Sequence, residues 1–409
     1  MNIHTLLQKI SDEEKRNDSF LYLTANENQL SRTARMFLGS KISERYFFSA
    51  GDEHSVVDMG HFKGLGFSGV NDLIEAAKQA SREMLHAADV NLNVLSGVHA
   101  MMCSILSTTN PGDMVMTVPL EYGGHFATVG IIERIGRKHI FADFDFQNLR
   151  FDTEKIAEKV KKYAVKAIYL DVSYYLNPHN LRELRDAIGE APIIIYDASH
   201  TMGLIMGQQF QSPLEEGANI ISANTHKTLP GPHKGMIAFR DKELADKANK
   251  IIDSCLYSTP HMTHLIALAT TLLEMKEFGQ EFAKQIIANS NAIAKAFEDL
   301  EYDVRKANTG RYSENHQAHI FLKGEYKILY QNLIHNSIST NFEGFELSGG
   351  KWFIRIGTAE VTRRGMKEKD MVEIANLMDR AMNGESVKDQ VLAFNNRFPD
   401  IHYSFDEIA

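Results

Sequence analysis

Cysteine is scarce in this chain. Cys103 and Cys255 are the only two in 409 residues, so no disulfide framework is implied and a reducing cytoplasm is the expected setting. Long apolar runs are missing as well. No stretch approaches the roughly 18 residues needed to cross a bilayer. The N-terminal residues 1–8 are interrupted by polar side chains, which is not a signal-peptide pattern. Clustered basic charge is the third absence. The 44 Lys and Arg are scattered, 53 Asp and Glu outweigh them, and the formal net charge is −9. The pair Arg363-Arg364 is too short for a nucleic-acid patch, so neither nucleic acid nor an anionic membrane is expected as a partner. No repeat or low-complexity segment stands out, and no metal site is expected.

What the chain has is a large apolar fraction, 44% hydrophobic against 24% charged, and enough length for more than one domain. Residues 3–16 predict an amphipathic helix that leads into an extended Phe20–Ala25. Helices are predicted over 70–90 and 97–108. Short apolar strands then alternate with helical patterns. The strands are Met114–Val118, His139–Phe141, Ala167–Leu170, Ile193–Tyr196, Asn219–Ser222 and Met236–Phe239; the helices include 122–135, 153–163 and 178–189. Buried strands separated by helices predict an α/β fold with a mostly parallel sheet covered on both faces. Residues 242–254 and 262–299 read as helical. Beyond Asp299 come Ile320–Leu322, a helix near 325–335, Phe353–Ile356, and helices near 367–382 and 386–396, which predict a smaller α+β domain. The expected division is an N-terminal arm and helix over 1–50, a large cofactor-binding domain over 51–285 and a small C-terminal domain over 286–409.

The densest chemical signal is Ser222–Gly235. Lys227 sits just past an apolar segment, between His226 and Thr228, with a Gly231-Pro232 turn close behind. An unpaired ammonium there is costly to bury. A Schiff base to a cofactor aldehyde removes that cost and gives the lysine a task. Asp197 ends the strand Ile193–Tyr196, where open α/β sheets form their ligand crevice. A carboxylate there can hold a pyridine nitrogen protonated, so the two residues together predict pyridoxal phosphate (PLP). A helix N-cap is the competing role for Asp197. His200 can reach the cofactor oxygen or a substrate carboxylate, or serve as a core histidine. The segment Leu95–Ala100 opens a helix, and Ser96, Gly97 and Val98 offer backbone N–H groups as a phosphate cradle. Thr225 is a further expected phosphate ligand. Tyr122-Gly-Gly-His125 lets the backbone approach a ligand, with the His125 ring able to stack on it, or else forms a plain turn. Arg355, in the apolar Trp352–Gly357, needs an anion: a substrate carboxylate or an internal salt bridge.

Together these segments resemble the serine hydroxymethyltransferase family of fold type I PLP enzymes. The match runs through Tyr22–Asn28, Leu95–Ala100, Gly123–His125, Asp197–His200, Thr225–Pro232 (similar to T-H-K-T-L-x-G-P) and Ile354–Gly365 (similar to I-R-V-G-T-P-A-I-T-R-R-G). The resemblance implies Lys227 as the Schiff-base lysine, Asp197 on the pyridine nitrogen, His125 stacked on the ring and His200 beside the cofactor oxygen. It implies Arg355, with Asn26, on the carboxylate of an amino-acid substrate. Ser173 and His226 join the expected cofactor contacts. Tyr46 resembles the tyrosine that reaches a neighbouring subunit's site, which implies a homodimer. The family's partner-subunit phosphate loop reads Tyr257-Ser258-Thr259-Pro260 here.

The departures bear on the reaction. The family's glutamate two residues after that tyrosine, the acid/base of its folate step, is Phe48. A phenyl ring cannot move a proton. The pterin loop is replaced by Glu343–Gly350, and the arginine of G-P-R-G-G is His233. Residues 56–72 have no family match and add His61, Lys63 and several glycines. Phe47, Phe48, Phe67 and Phe126 are expected at the pocket mouth. The expected activity is therefore a PLP-dependent, folate-independent aldol or retro-aldol reaction on a glycine-, serine- or threonine-type substrate, with an aldehyde as the second reactant. Three alternatives stand beside it. One is a folate-dependent serine hydroxymethyltransferase whose acid/base is Glu27, Asp52 or Glu53. The others are a different Cα chemistry (transamination, decarboxylation, racemisation or cyclisation) and a PLP-binding regulator without turnover.

Overall fold

The structure, a computed structural model, describes residues 2–47, 56–58, 63–145, 148–344 and 351–407. Phe48, Asp52, Glu53, His61 and residues 345–350 of the altered pterin loop lie outside them. The chain forms two compact units. One comprises Asn28–Lys284 and Tyr403–Ala409; the other comprises Met1–Glu27 and Gln285–His402. The division at 284/285 falls inside the helix Met262–Asp299.

The larger unit is built on a seven-stranded sheet. Its strands in chain order are β1 (Asp89–Asn91), β2 (Met114–Thr117), β3 (Lys138–Phe141), β4 (Val165–Leu170), β5 (Ile193–Asp197), β6 (Ile220–Asn224) and β7 (Gly235–Phe239). The spatial order is β1-β7-β6-β5-β4-β2-β3. The run from β6 to β3 is parallel, whereas β7 is antiparallel to both β6 and β1. Every residue of β6 and β7 is buried. Continuous apolar sequence of this kind follows when helices cover both faces. The core joins Val115, Ala167, Ile195, Ile220 and Ile237 of the sheet to Ala100, Met101 and Ile105 of the helix Gly97–Thr108, and to Ala245 and Ala248 of the helix Lys242–Ile251.

Two sequence expectations fail for local reasons. The helix expected over 70–90 ends at Leu85, because His86 takes a left-handed conformation (φ 54°) and the next residues enter the sheet as β1. The helix expected over 122–135 begins only at Thr128. Gly123 has φ +97°, and a Cβ on Gly124 would stand 2.1 Å from the Val118 carbonyl oxygen. The chain there folds into a tight turn against the end of β2. Val56–Asp58 pairs antiparallel with Lys63–Leu65.

The smaller unit holds a three-stranded antiparallel sheet of β8 (Gln317–Phe321), β9 (Asn341–Gly344) and β10 (Trp352–Gly357), with β10 in the middle. Leu21–Tyr22 pairs in parallel with Ile338–Ser339. Ile354 and Ile356 face a core completed by Ile293, Phe297, Met371, Ile374, Met378 and Phe394. No helix among the described residues is long and apolar enough to cross a membrane.

Candidate active site

In the larger unit the chemistry collects at the C-terminal ends of β4, β5 and β6. Strand β5 delivers Asp197 there, in register with Ser222 of β6. Both carboxylate oxygens are held: Tyr169 Oη donates to Oδ2 at 2.5 Å, and the Ser199 N–H donates to Oδ1 at 2.8 Å. Burial, then the charges of Asp197 and Asp171, push the Tyr169 phenol well above its ordinary value, so it stays a donor.

The turn linking β6 to β7 carries Lys227. Its amine lies 3.1 Å from His200 Nε2, and its backbone carbonyl accepts from Asn28 Nδ2 at 2.7 Å. His200 is buried, and its own carbonyl accepts from Thr228 Oγ1 at 2.9 Å. Lys227 and His200 are therefore fixed through the backbone as well as through their side chains. Thr225 is fully buried, and its hydroxyl serves the turn: it donates to the Pro232 carbonyl at 2.5 Å and accepts from the Lys234 N–H. His226 stacks on His233 with ring centroids 3.9 Å apart. Burial, with His233 and Lys227 adding to it, lowers His226 to about 3, and its Nδ1 is buried without a hydrogen-bond partner among the described residues.

His125 follows the tight turn after β2. Its backbone N–H donates to Asp171 Oδ2 at 3.0 Å, and Thr128 Oγ1 donates to the same oxygen at 2.6 Å. His125 is exposed, yet its pKa is lowered, first by burial of the ring among its neighbours; Asp197 opposes this and Lys227 adds to it. His125, Asp197 and Lys227 thus lie within electrostatic reach of one another, and the imidazole is neutral. Ser173 backs the turn through its N–H to the Gly123 carbonyl at 2.8 Å.

The expected cradle sits at the start of the helix Gly97–Thr108. Ser96 caps it, accepting from the His99 N–H at 3.1 Å. A Cβ on Gly97 would lie 2.8 Å from Asn224 Cβ, so only glycine lets the helix start press this close to the end of β6. Val98 and Ser96 are exposed there. Tyr46 is 64% exposed, Ser258 is exposed and Thr259 half-buried, whereas Phe47, expected at the mouth, is buried in the core.

In the smaller unit Arg355 projects from β10 and is 7% exposed. Its Nη2 donates to Asn26 Oδ1 at 3.0 Å and lies 3.2 Å from Glu343 Oε1. Both roles read for it in the sequence, carboxylate clamp and internal salt bridge, therefore remain open to one guanidinium. Glu27 is exposed and accepts from Thr24 Oγ1.

Three residues escaped sequence reasoning. Asn28 ends the matched segment Tyr22–Asn28, but nothing in that segment assigns its amide a role, and Tyr169, within an apolar strand, carries no local signal. Asp171 does carry one: like Asp197, it closes an apolar strand at the same edge of the sheet.

The larger unit's residues fit PLP. It needs an amine for its aldehyde, an anion for its pyridine nitrogen and N–H donors for its phosphate. Lys227, Asp197 and the Ser96–Gly97 cradle supply these from one edge of the sheet.

Comparison with known proteins agrees. The family model described as serine hydroxymethyltransferase matches residues 2–378. Fluorothreonine transaldolase of Streptantibioticus cattleyicolor is 31% identical over 99% of this chain, which spans 64% of that relative's length. Serine hydroxymethyltransferases of Methanocella arvoryzae (30% identical, covering 99% of this chain and 97% of theirs) and Methanosphaera stadtmanae (32%, 95% and 92%) are similar too. The solved structure of L-threonine transaldolase from Pseudomonas fluorescens, in its internal aldimine state, superposes with a TM-score of 0.90 at 28% identity, covering 100% of this chain and 94% of that one. The chain belongs to the serine hydroxymethyltransferase family, as a PLP-dependent transferase of fold type I.

Proposed function

We propose that this enzyme carries out a folate-independent aldol exchange on a β-hydroxy amino acid of the threonine type. One aldehyde leaves from Cβ and a second aldehyde is joined to the remaining glycine unit. The observation that carries this reading is Phe48 at the position of the family's folate-step glutamate. The similarity to two transaldolases supports it.

PLP bound at Lys227 supplies the electron sink that takes up the pair released when a bond to Cα breaks. The chain's residues do the rest. Asp197, fixed by Tyr169 and Ser199, keeps the proton on the pyridine nitrogen. Neutral His125 offers an uncharged face to the ring. Arg355, steadied at Nη2 by Asn26 and Glu343, would take the substrate carboxylate and so orient the amino acid. Lys227, whose amine lies 3.1 Å from His200 Nε2, would be the nearby base for protons at the reacting carbons. In a homodimer, Tyr46, Ser258 and Thr259 would serve the neighbouring site. Exposed apolar side chains support such an interface: Tyr46, Phe126 and Leu65 in one unit, and the stripe Ile3, Leu6, Leu7, Ile10 in the other.

The test uses holoenzyme with L-threonine and a second aldehyde, free of folate. Acetaldehyde release together with a new β-hydroxy amino acid is the expected result. Serine cleavage that depends on tetrahydrofolate and yields methylene-tetrahydrofolate would overturn the proposal in favour of a true hydroxymethyltransferase.

A further inference from the structure

Next to the Schiff-base turn lies a second lysine that the reaction has not used. Lys234 is 2% exposed. Its Nζ donates to the Val94 carbonyl at 2.9 Å, two residues before the cap Ser96. No carboxylate pairs with it among the described residues. The groups within its electrostatic reach are bases: His99 and His264 are each lowered first by burial, and the charge of Lys234 adds to it. His99 is tied up as a neutral ring, with Nδ1 accepting from the Leu95 N–H at 2.9 Å and Nε2 against the Leu256 carbonyl at 3.0 Å. Burial alone lowers Lys234 to about 7.

The neighbourhood adds to the imbalance. Gly235, the next residue, presses so close to the cradle that a Cβ there would be 2.3 Å from the Ser96 carbonyl oxygen. Residues 234–235 and 94–96 are therefore one packed block. That block is also the positive end of the helix Gly97–Thr108. A buried ammonium beside a helix N-terminus is unfavourable by itself, and an arriving anion is attracted to both. The sequence points the same way. The family's G-P-R-G-G reads Gly231-Pro-His-Lys-Gly235 here, so arginine has become His233 and the following glycine has become Lys234. The basic side chain has moved by one residue, from position 233, exposed here, to position 234, buried here.

We propose that Lys234 is the built-in counter-charge for the phosphate of PLP, acting from behind the Ser96–Gly97 cradle. The inference rests on PLP as the cofactor and not on which aldehyde the enzyme uses. A buried cation of this kind stabilises a phosphate dianion but is indifferent to the rest of the coenzyme. It therefore separates PLP from pyridoxal, which lacks the phosphate.

The experiment measures binding of PLP and of pyridoxal to apoenzyme, by absorbance and fluorescence titration, for wild type, Lys234→Met and Lys234→Arg. The expected result is a loss of PLP affinity of about tenfold to a hundredfold in Lys234→Met, the size of a charge-assisted contact. Pyridoxal affinity should be unchanged, and Lys234→Arg should recover most of the PLP affinity. The apo form of Lys234→Met should melt no lower than wild type, because an uncompensated charge has been removed. Equal losses for PLP and pyridoxal, or an apo form of Lys234→Met that melts well below wild type, would make Lys234 a structural strut and overturn the proposal. Unchanged PLP affinity would overturn it as well. If Lys234→Met does not fold, Lys234→Gln is read by the same two affinities. Failure of wild-type apoenzyme to bind PLP would instead strike at the cofactor assignment.

Discussion

Asp171→Asn offers the sharpest test of the electrostatics at this sheet edge. Asp171 is 4% exposed. One oxygen accepts from the His125 N–H and the Thr128 hydroxyl; the other is buried with no partner among the described residues. Burial is the main cause that pushes its carboxyl from 3.8 up to about 7, with the charge of Asp197 adding and the Thr128 and His125 hydrogen bonds opposing. The folded protein therefore binds this proton more tightly than the unfolded chain does. The contribution of this group to stability is greatest while it is protonated in both states, below about pH 4, and declines as pH rises to about 7, beyond which the loss is complete. At 1.36 kcal/mol per pH unit the whole loss is about 4 kcal/mol. Between pH 5 and pH 8 it is about 2 to 3 kcal/mol. Asparagine is neutral throughout, and its carbonyl oxygen can keep both hydrogen bonds. Urea unfolding of the apoenzymes at the two pH values is the assay. The stability difference should shift in favour of Asp171→Asn by about 2 to 3 kcal/mol on going from pH 5 to pH 8. Parallel pH profiles for the two proteins would show that the carboxylate is already ionised at pH 5, and the argument from burial would be wrong.

Lys227→Ala should abolish covalent cofactor colour and cut turnover by about a thousandfold or more; turnover near the wild-type rate would remove Lys227 from the chemistry. Gly235→Ala should cost about 1 to 3 kcal/mol and weaken PLP binding, because the added Cβ meets the Ser96 backbone and not a yielding side chain; thermal melts with and without PLP measure both. Arg355→Lys should raise the KM for the amino acid about tenfold to a hundredfold, since a point charge cannot reproduce the guanidinium fork. An unchanged KM would leave Arg355 as an internal partner of Glu343 and Asn26.

Much of this protein was legible in one dimension because its chemistry is local. The strand β5 ending in Asp197, the turn holding Lys227 and the capped helix at Ser96 are each written in a few consecutive residues, and apolar runs of four to six marked most of the strands. Fold class and cofactor followed from these. The failures were also local in cause: a left-handed His86 and the packed Gly123-Gly124 turn ended or delayed helices whose apolar periodicity ran on. Periodicity reports what a helix would bury, not where a backbone carbonyl blocks its path.

Tertiary structure alone decided the electrostatics. Sequence placed Asp171, Tyr169 and Lys234 in or just beyond strands, but whether a charge is paired or stranded depends on neighbours brought in from distant segments. Lys234 reaches Val94 across 140 positions and Asp171 holds a turn 46 positions away. The energy of a buried charge is set by the dielectric and the partners around it, and both come into being only when the sheet closes on its helices.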